Sequence, residues 1–132
     1  MIQWDPKYET GEENIDKQHK LLFSHVDTLG KVLNEGDAAT QLPQIVSQLK
    51  TYINIHFSYE ELCMFRHKCP VAEENKAAHK KFREAIPGFE NRMQSEGPNA
   101  QLAQEMHEFL ESWLKEHICK IDVQLKPCLP DH

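Results

Sequence analysis

Residues 41–66 read QLPQIVSQLKTYINIHFSYEELCMFR and carry a regular apolar pattern. Large side chains recur every three or four residues, which is the period of one face of an α-helix. They are Ile45, Leu49, Tyr52, Ile53 and Met64. Pro43 falls near the start, where the first helical turn needs no intrahelical N–H bond. The stretch therefore predicts one long amphipathic helix whose apolar face is buried.

Similar patterns on both sides of this stretch predict three further helices, preceded by an irregular arm over residues 1–14. Pro87-Gly88 predicts a kink or a break in the third helix, and Asn99 is the predicted N-cap of the fourth. Four amphipathic helices with short loops predict an all-α, up-down-up-down four-helix bundle that forms a single domain over 1–132. The approximate helix ranges are 15–34, 41–66, 71–94 and 99–125.

The composition is that of a globular domain, because 39% of the 132 residues are hydrophobic and 27% are charged. A net charge of −6 and the lack of a basic stripe argue against nucleic acid as a partner. No apolar run resembles a signal peptide or a membrane span, so a cytoplasmic location without membrane contact is expected. The four cysteines form no CxxC pair, and reduced thiols are expected.

Polar residues of metal-binding type fall at matching heights in the four predicted helices. His19 lies about 18 residues before the first interhelical turn and His56 about 16 residues after it, so the two sit side by side at a rise of about 1.5 Å per residue. The same reasoning at the other turns places six residues in one layer. They are His19, His56, Glu60, Asn75, His79 and His117. A buried layer of this kind is costly unless its groups are paired or bind metal, so it predicts a metal site.

Histidine and carboxylate ligands without cysteine suit iron, manganese or zinc. Glu60 and Asp122 lie on different helices and could bridge two metals, so a dinuclear centre in the bundle core is predicted. The Glu-x-x-His pairs of ferritin-like proteins are missing, which disfavours that relation. Asp122 follows His117 by five residues, and such residues point about 140° apart on a regular helix. A local π-type widening between His117 and Asp122 is therefore predicted.

Four segments of the chain resemble hemerythrins, especially the bacterial single-domain kind. They are WDPKYETGEENIDKQHKLLF (4–23), HFSYEELCM (56–64), HKKF (79–82) and WLKEHICKID (113–122). The resemblance covers nearly the whole chain, and the four segments in this order are highly specific. It implies a non-haem di-iron centre with an oxo or hydroxo bridge.

The resemblance also implies a role for each site residue. His19 and His56 would bind one iron, position 75, His79 and His117 would bind the other, and Glu60 and Asp122 would bridge the two. Dioxygen would bind the iron that has fewer histidines, inside an apolar pocket. The residues of this dioxygen pocket are Leu22, Phe57, Trp113, Leu114 and Ile118.

Position 75 departs from the family pattern, because asparagine stands where the family has histidine. Three outcomes are open. Asn75 could coordinate weakly through its amide oxygen; water, Glu73 or Glu74 could take the place of the histidine; or that iron could be held loosely and lost. An extra open position on one iron would favour faster autoxidation over stable oxygen storage.

The leading functional prediction is an oxygen-binding protein rather than an enzyme, serving oxygen storage, delivery or sensing. One alternative is a di-iron redox enzyme acting on peroxide or nitric oxide. The other is a degenerate module that has lost metal and acts structurally. Dioxygen or another small ligand is the expected partner, and the sequence does not indicate the electron donor.

Overall fold

The computed structural model describes residues 4–118 together with residues 124 and 127. Four antiparallel helices, named α1 to α4, build the bundle, and α1 and α3 each pack against both α2 and α4. The helices are α1 (Glu13–Glu35), α2 (Ala38–His67), α3 (Ala72–Glu96) and α4 (Ala100–Glu116). The predicted all-α four-helix bundle is confirmed. None of the helices in the described ranges is long and apolar enough to span a membrane.

Local hydrogen bonds explain where the helices begin and end. Gly36 adopts the left-handed conformation (φ 79°) and its N–H donates to the carbonyl of Leu33, which ends α1. Glycine suits this position because it has no Cβ to strain at positive φ. At the start of α4, the Asn99 side-chain oxygen accepts the N–H of Leu102 at 2.8 Å, as the predicted N-cap requires.

Two helices, α2 and α3, contain an internal proline, and of the kink or break predicted at Pro87 only the break is excluded. α2 begins at Ala38, so Pro43 lies in the second turn rather than the first. α3 runs without a break through Pro87. A proline inside a helix costs about 3 kcal/mol. Buried Phe82 and Ile86 precede Pro87 on the core face of α3, and their packing offsets this cost. Burial of these side chains in the core thus outweighs the tendency of proline to end a helix.

The end of α4 widens near the predicted site. Regular α-helix extends to Glu116, and His117 and Ile118 then adopt π-helical geometry. This widening begins where the π-type irregularity is predicted. Residues 119–123, which include Asp122 and most of the remaining predicted helix, lie outside the described residues.

The buried polar layer lies between two apolar clusters. The larger cluster includes Leu22, Phe57 and Phe82. The smaller cluster consists of Ile15, Met64, Cys69 and Val71. Three residues of the polar layer, one on each of α1 to α3, lie one helical turn from a member of the smaller cluster: His19 follows Ile15, Glu60 precedes Met64 and Asn75 follows Val71. The larger cluster lies on the other side of this polar layer. Apolar side chains therefore separate the polar layer from solvent along the bundle axis.

The two described cysteines differ in state. Cys63 is a free thiol. Cys69 is disulfide-bonded. The expectation of four reduced thiols is therefore wrong at Cys69. No CxxC spacing in the sequence signals this bond.

Candidate metal centre

Glu60 stands at the centre of the buried polar layer, and the histidines sort into two pairs around its carboxylate. His19 Nε2 lies 2.9 Å and His56 Nε2 lies 3.4 Å from Oε2. His79 Nε2 lies 3.0 Å and His117 Nε2 lies 3.4 Å from Oε1. All five side chains are fully buried. Each carboxylate oxygen thus faces two imidazole nitrogens, one pair from α1 and α2 and the other from α3 and the end of α4.

The environment of Glu60 favours its ionised form. Burial by itself would raise the pKa of Glu60. The positive charge of His56 and hydrogen bonds from His117, His19 and His79 outweigh burial and place the pKa of Glu60 well below its usual range. A carboxylate held in this form offers both oxygens as acceptors or metal ligands.

The donor set fits metal ions of the kind the sequence predicts. Ligand atoms of His19, His56, Glu60 and His117 all lie within 4.8 Å of one another. His79 Nε2 joins them at 3.2 Å from His117 Nε2. Imidazole nitrogens and carboxylate oxygens suit iron. The structure brings together five of the six predicted metal ligands, and the sixth, Asp122, lies outside the described residues.

Two outer contacts orient the histidines, and sequence reasoning did not identify either partner. His56 Nδ1 donates to the Gln18 amide oxygen at 2.7 Å, so Nε2 is the ring nitrogen that faces Glu60 and would be available to a metal. His79 Nδ1 lies 3.3 Å from Glu61 Oε2, and Arg83 holds the same oxygen at 3.1 Å. Gln18 directly precedes the predicted ligand His19, and Glu61 directly follows the predicted ligand Glu60. This adjacency is the sequence feature that could have identified both residues.

Replacing Gln18 with leucine is expected to weaken metal binding about 10- to 100-fold, the usual cost of losing an outer partner of a histidine ligand. The His56 ring would then be free to rotate or to present the wrong tautomer. Metal competition with a chromophoric chelator measures the effect. Gln101→Leu, at an exposed position of α4, is the matched control. Equal affinity of the two variants would show that Gln18 does not orient His56.

Apolar rings cover the second pair of histidines. Phe57 stacks on His79 with ring centroids 3.9 Å apart, and Trp113 stacks on His117 at 4.2 Å. The Trp113 indole N–H donates to the Ala78 carbonyl at 3.1 Å, which fixes its ring. All residues of the predicted dioxygen pocket belong to the large apolar cluster. They are Leu22, Phe57, Trp113, Leu114 and Ile118.

Asn75 is fully buried in the same layer. Its amide nitrogen donates to Glu60 Oε1 at 2.6 Å and lies 2.9 Å from the Met64 sulfur. Glu73 and Glu74 are exposed on α3, which disfavours the idea that either carboxylate replaces the missing histidine.

Comparison with known proteins places this geometry in a family context. The family model described as "Hemerythrin HHE cation binding domain" matches residues 10–129. A bacteriohemerythrin of Clostridium acetobutylicum is 28% identical over 92% of this chain and 96% of its own length. A bacteriohemerythrin of Methylococcus capsulatus is 27% identical over 86% of this chain and 85% of its own. A myohemerythrin of Theromyzon tessulatum is 28% identical over 94% of this chain and 90% of its own length.

These matches confirm the resemblance that four sequence segments predict. The matched residues include every described histidine of the candidate centre. Because the match spans residues 10–129 of 132, this chain belongs to the hemerythrin family, whose members bind a di-iron centre, and its buried His/Glu cluster is able to hold metal ions.

Proposed function

We propose that the chain binds dioxygen reversibly at a di-iron centre. His19 and His56 would hold one iron, His79 and His117 the other, and Glu60 would bridge them. The observation that carries this proposal is the sorting of the four histidines into two pairs, one at each oxygen of Glu60. Asp122 is proposed as the second bridging carboxylate on the family pattern alone.

When bound, the iron supplies the site at which dioxygen is taken up and released. The chain's own contribution is to orient the imidazoles and to exclude water. Gln18 fixes the His56 ring through its amide oxygen. Phe57 and Trp113 stack against His79 and His117 and cover one face of each ring, and both histidines are fully buried. A dry pocket favours reversible binding because water and protons would promote loss of oxygen in reduced form.

The proposed role is storage, delivery or sensing of oxygen in the cytoplasm by a single domain. The relatives named bacteriohemerythrin and myohemerythrin match over most of their own lengths, which supports a shared use of the site. Dioxygen is the proposed ligand, and nucleic acid and membrane are not proposed as partners.

A second candidate function is redox chemistry on peroxide or nitric oxide. Asn75 favours it, because a metal that lacks the usual third histidine has one more position for a small molecule. The buried cluster of four histidines around Glu60 argues against a metal-deficient structural module, because such a cluster is costly to bury without metal.

Iron loading and oxygen titration test the proposed function. Two irons per chain, and a visible absorption band that appears when the ferrous protein meets air and disappears when oxygen is removed, are expected. Asn75→His should autoxidise more slowly than the native chain. An irreversible band, together with steady turnover of peroxide or nitric oxide that Glu60→Ala abolishes, would instead favour the enzyme.

A further inference from the structure

The amide of Asn75 has an orientation that chemistry alone can assign. A carboxylate that binds metal is deprotonated and can only accept hydrogen bonds. The Asn75 group 2.6 Å from Glu60 Oε1 must therefore be the NH2 nitrogen, because two oxygens at this distance would repel. The Met64 sulfur, a weak acceptor, lies 2.9 Å from the same nitrogen and agrees with this assignment.

This orientation determines what Asn75 can offer a metal. An amide nitrogen that donates its protons has no lone pair available for coordination. The oxygen Oδ1 is the only ligand atom of the side chain, and rotating it toward Glu60 Oε1 would break the bond to the carboxylate. His79 and His117 face that same Oε1, so the hydrogen bond holds the nitrogen at the side of the centre where the third histidine would act.

We propose that Asn75 is a hydrogen-bond donor to Glu60 and not a metal ligand, and that the metal held by His79 and His117 carries an exchangeable site for a small anion. The inference rests on the proposed di-iron function and adds a second ligand site to it. Each metal then has two histidines, and the centre is nearly symmetric in its imidazole ligands.

The surroundings of this second site restrict its ligand. Met64 lies beside Asn75 and is almost fully buried, at 1% exposure. Ile15, Cys69 and Val71 complete the small apolar cluster beyond it. Such a buried, apolar lining favours a small ligand, such as water, hydroxide or azide, over larger molecules.

Azide titration of the diferric protein tests the proposal. The native chain should bind two azide ions per pair of irons, measured by calorimetry and by visible absorption. Asn75→His should bind one, because the imidazole fills the second site. Asn75→Leu is the matched variant, since it keeps the size of the side chain but has neither a ligand atom nor a donor, and it should bind two.

The alternative predicts a different pattern from the same proteins. If the Asn75 oxygen were a ligand, the native chain would bind one azide and Asn75→Leu would bind two. One azide on the native chain overturns the proposal even if neither variant folds. A native chain that takes up no iron defeats the proposed function, and the anion site fails with it.

A measurement on the metal-free protein separates the two failures. Hydrogen exchange of the Asn75 side-chain amide, followed by nitrogen-15 NMR, should be roughly tenfold slower than that of exposed Asn54, as a hydrogen bond to a charged group implies. Equal exchange rates at the two side chains would show that the donor role of Asn75 is wrong, whether or not iron binds.

Discussion

Glu60→Ala is expected to lose metal binding almost completely. All four histidines of the candidate centre contact the Glu60 carboxylate, so its removal takes away the bridge and leaves four imidazoles without a common anion. Loss of an outer partner alone costs about 10- to 100-fold in metal affinity, and loss of a bridging ligand should exceed 100-fold. Iron per chain, determined by elemental analysis after anaerobic loading, measures the effect.

Glu84→Ala is the control for charge. Glu84 is exposed on α3, and its replacement by alanine removes the same negative charge from the chain. It should load iron as the native chain does. Full iron content in Glu60→Ala would show that the metal does not depend on the central carboxylate and would contradict the proposed centre.

The dependence of the free energy of unfolding on acidic pH offers an independent check on Glu60 in the metal-free protein. The pKa of Glu60 is depressed in the folded chain, so its carboxylate stabilises the fold at pH values above its unfolded pKa of about 4.3. This contribution is lost as the pH falls below that value through the folded pKa. The free energy of unfolding of Glu60→Ala should accordingly depend less on pH in this acidic range than that of the native chain.

Phe57→Ala is expected to lower the free energy of unfolding by about 3–5 kcal/mol, the usual cost of emptying a buried phenylalanine site. Phe57 is fully buried, stacks on His79, and contacts Phe82 and Trp113 edgewise or at a tilt. The cavity would lie against an iron ligand and admit water, so the ferrous protein should also oxidise faster in air. Denaturant unfolding and the rate of absorbance change measure the two effects.

Phe65→Ala is the matched control on the same helix. Its ring is 79% exposed, and removing an exposed ring usually changes the free energy of unfolding by no more than about 0.5 kcal/mol. Its oxidation rate should equal that of the native chain. If Phe57→Ala is destabilised and yet oxidises at the native rate, then Phe57 supports the core without protecting the iron from water.

The layer of metal-binding residues could be predicted because helical geometry is local and regular. A constant rise per residue and short turns place His19 beside His56 without any knowledge of packing. The spacing of apolar residues likewise predicts which faces of the helices are buried. Four amphipathic helices joined by short loops predict the up-down-up-down bundle. Asp122 does not follow from this geometry, because residues five apart point in different directions on a regular helix, and its position lies outside the described residues.

Other features depend on contacts between residues that sequence spacing does not relate. The bond from His56 to Gln18 depends on the rotation of α1 against α2, and the bond from Asn75 to Glu60 depends on a side-chain rotamer. The disulfide at Cys69 depends on packing that the local sequence does not signal. The continuation of α3 through Pro87 depends on packing that outweighs the low helix propensity of proline. The sequence by itself therefore determined the helices and the height of the site, because both follow from a regular helical repeat. Only the tertiary structure decided how each side chain acts within the site, because side-chain orientation and partner choice arise from the packing of separate helices.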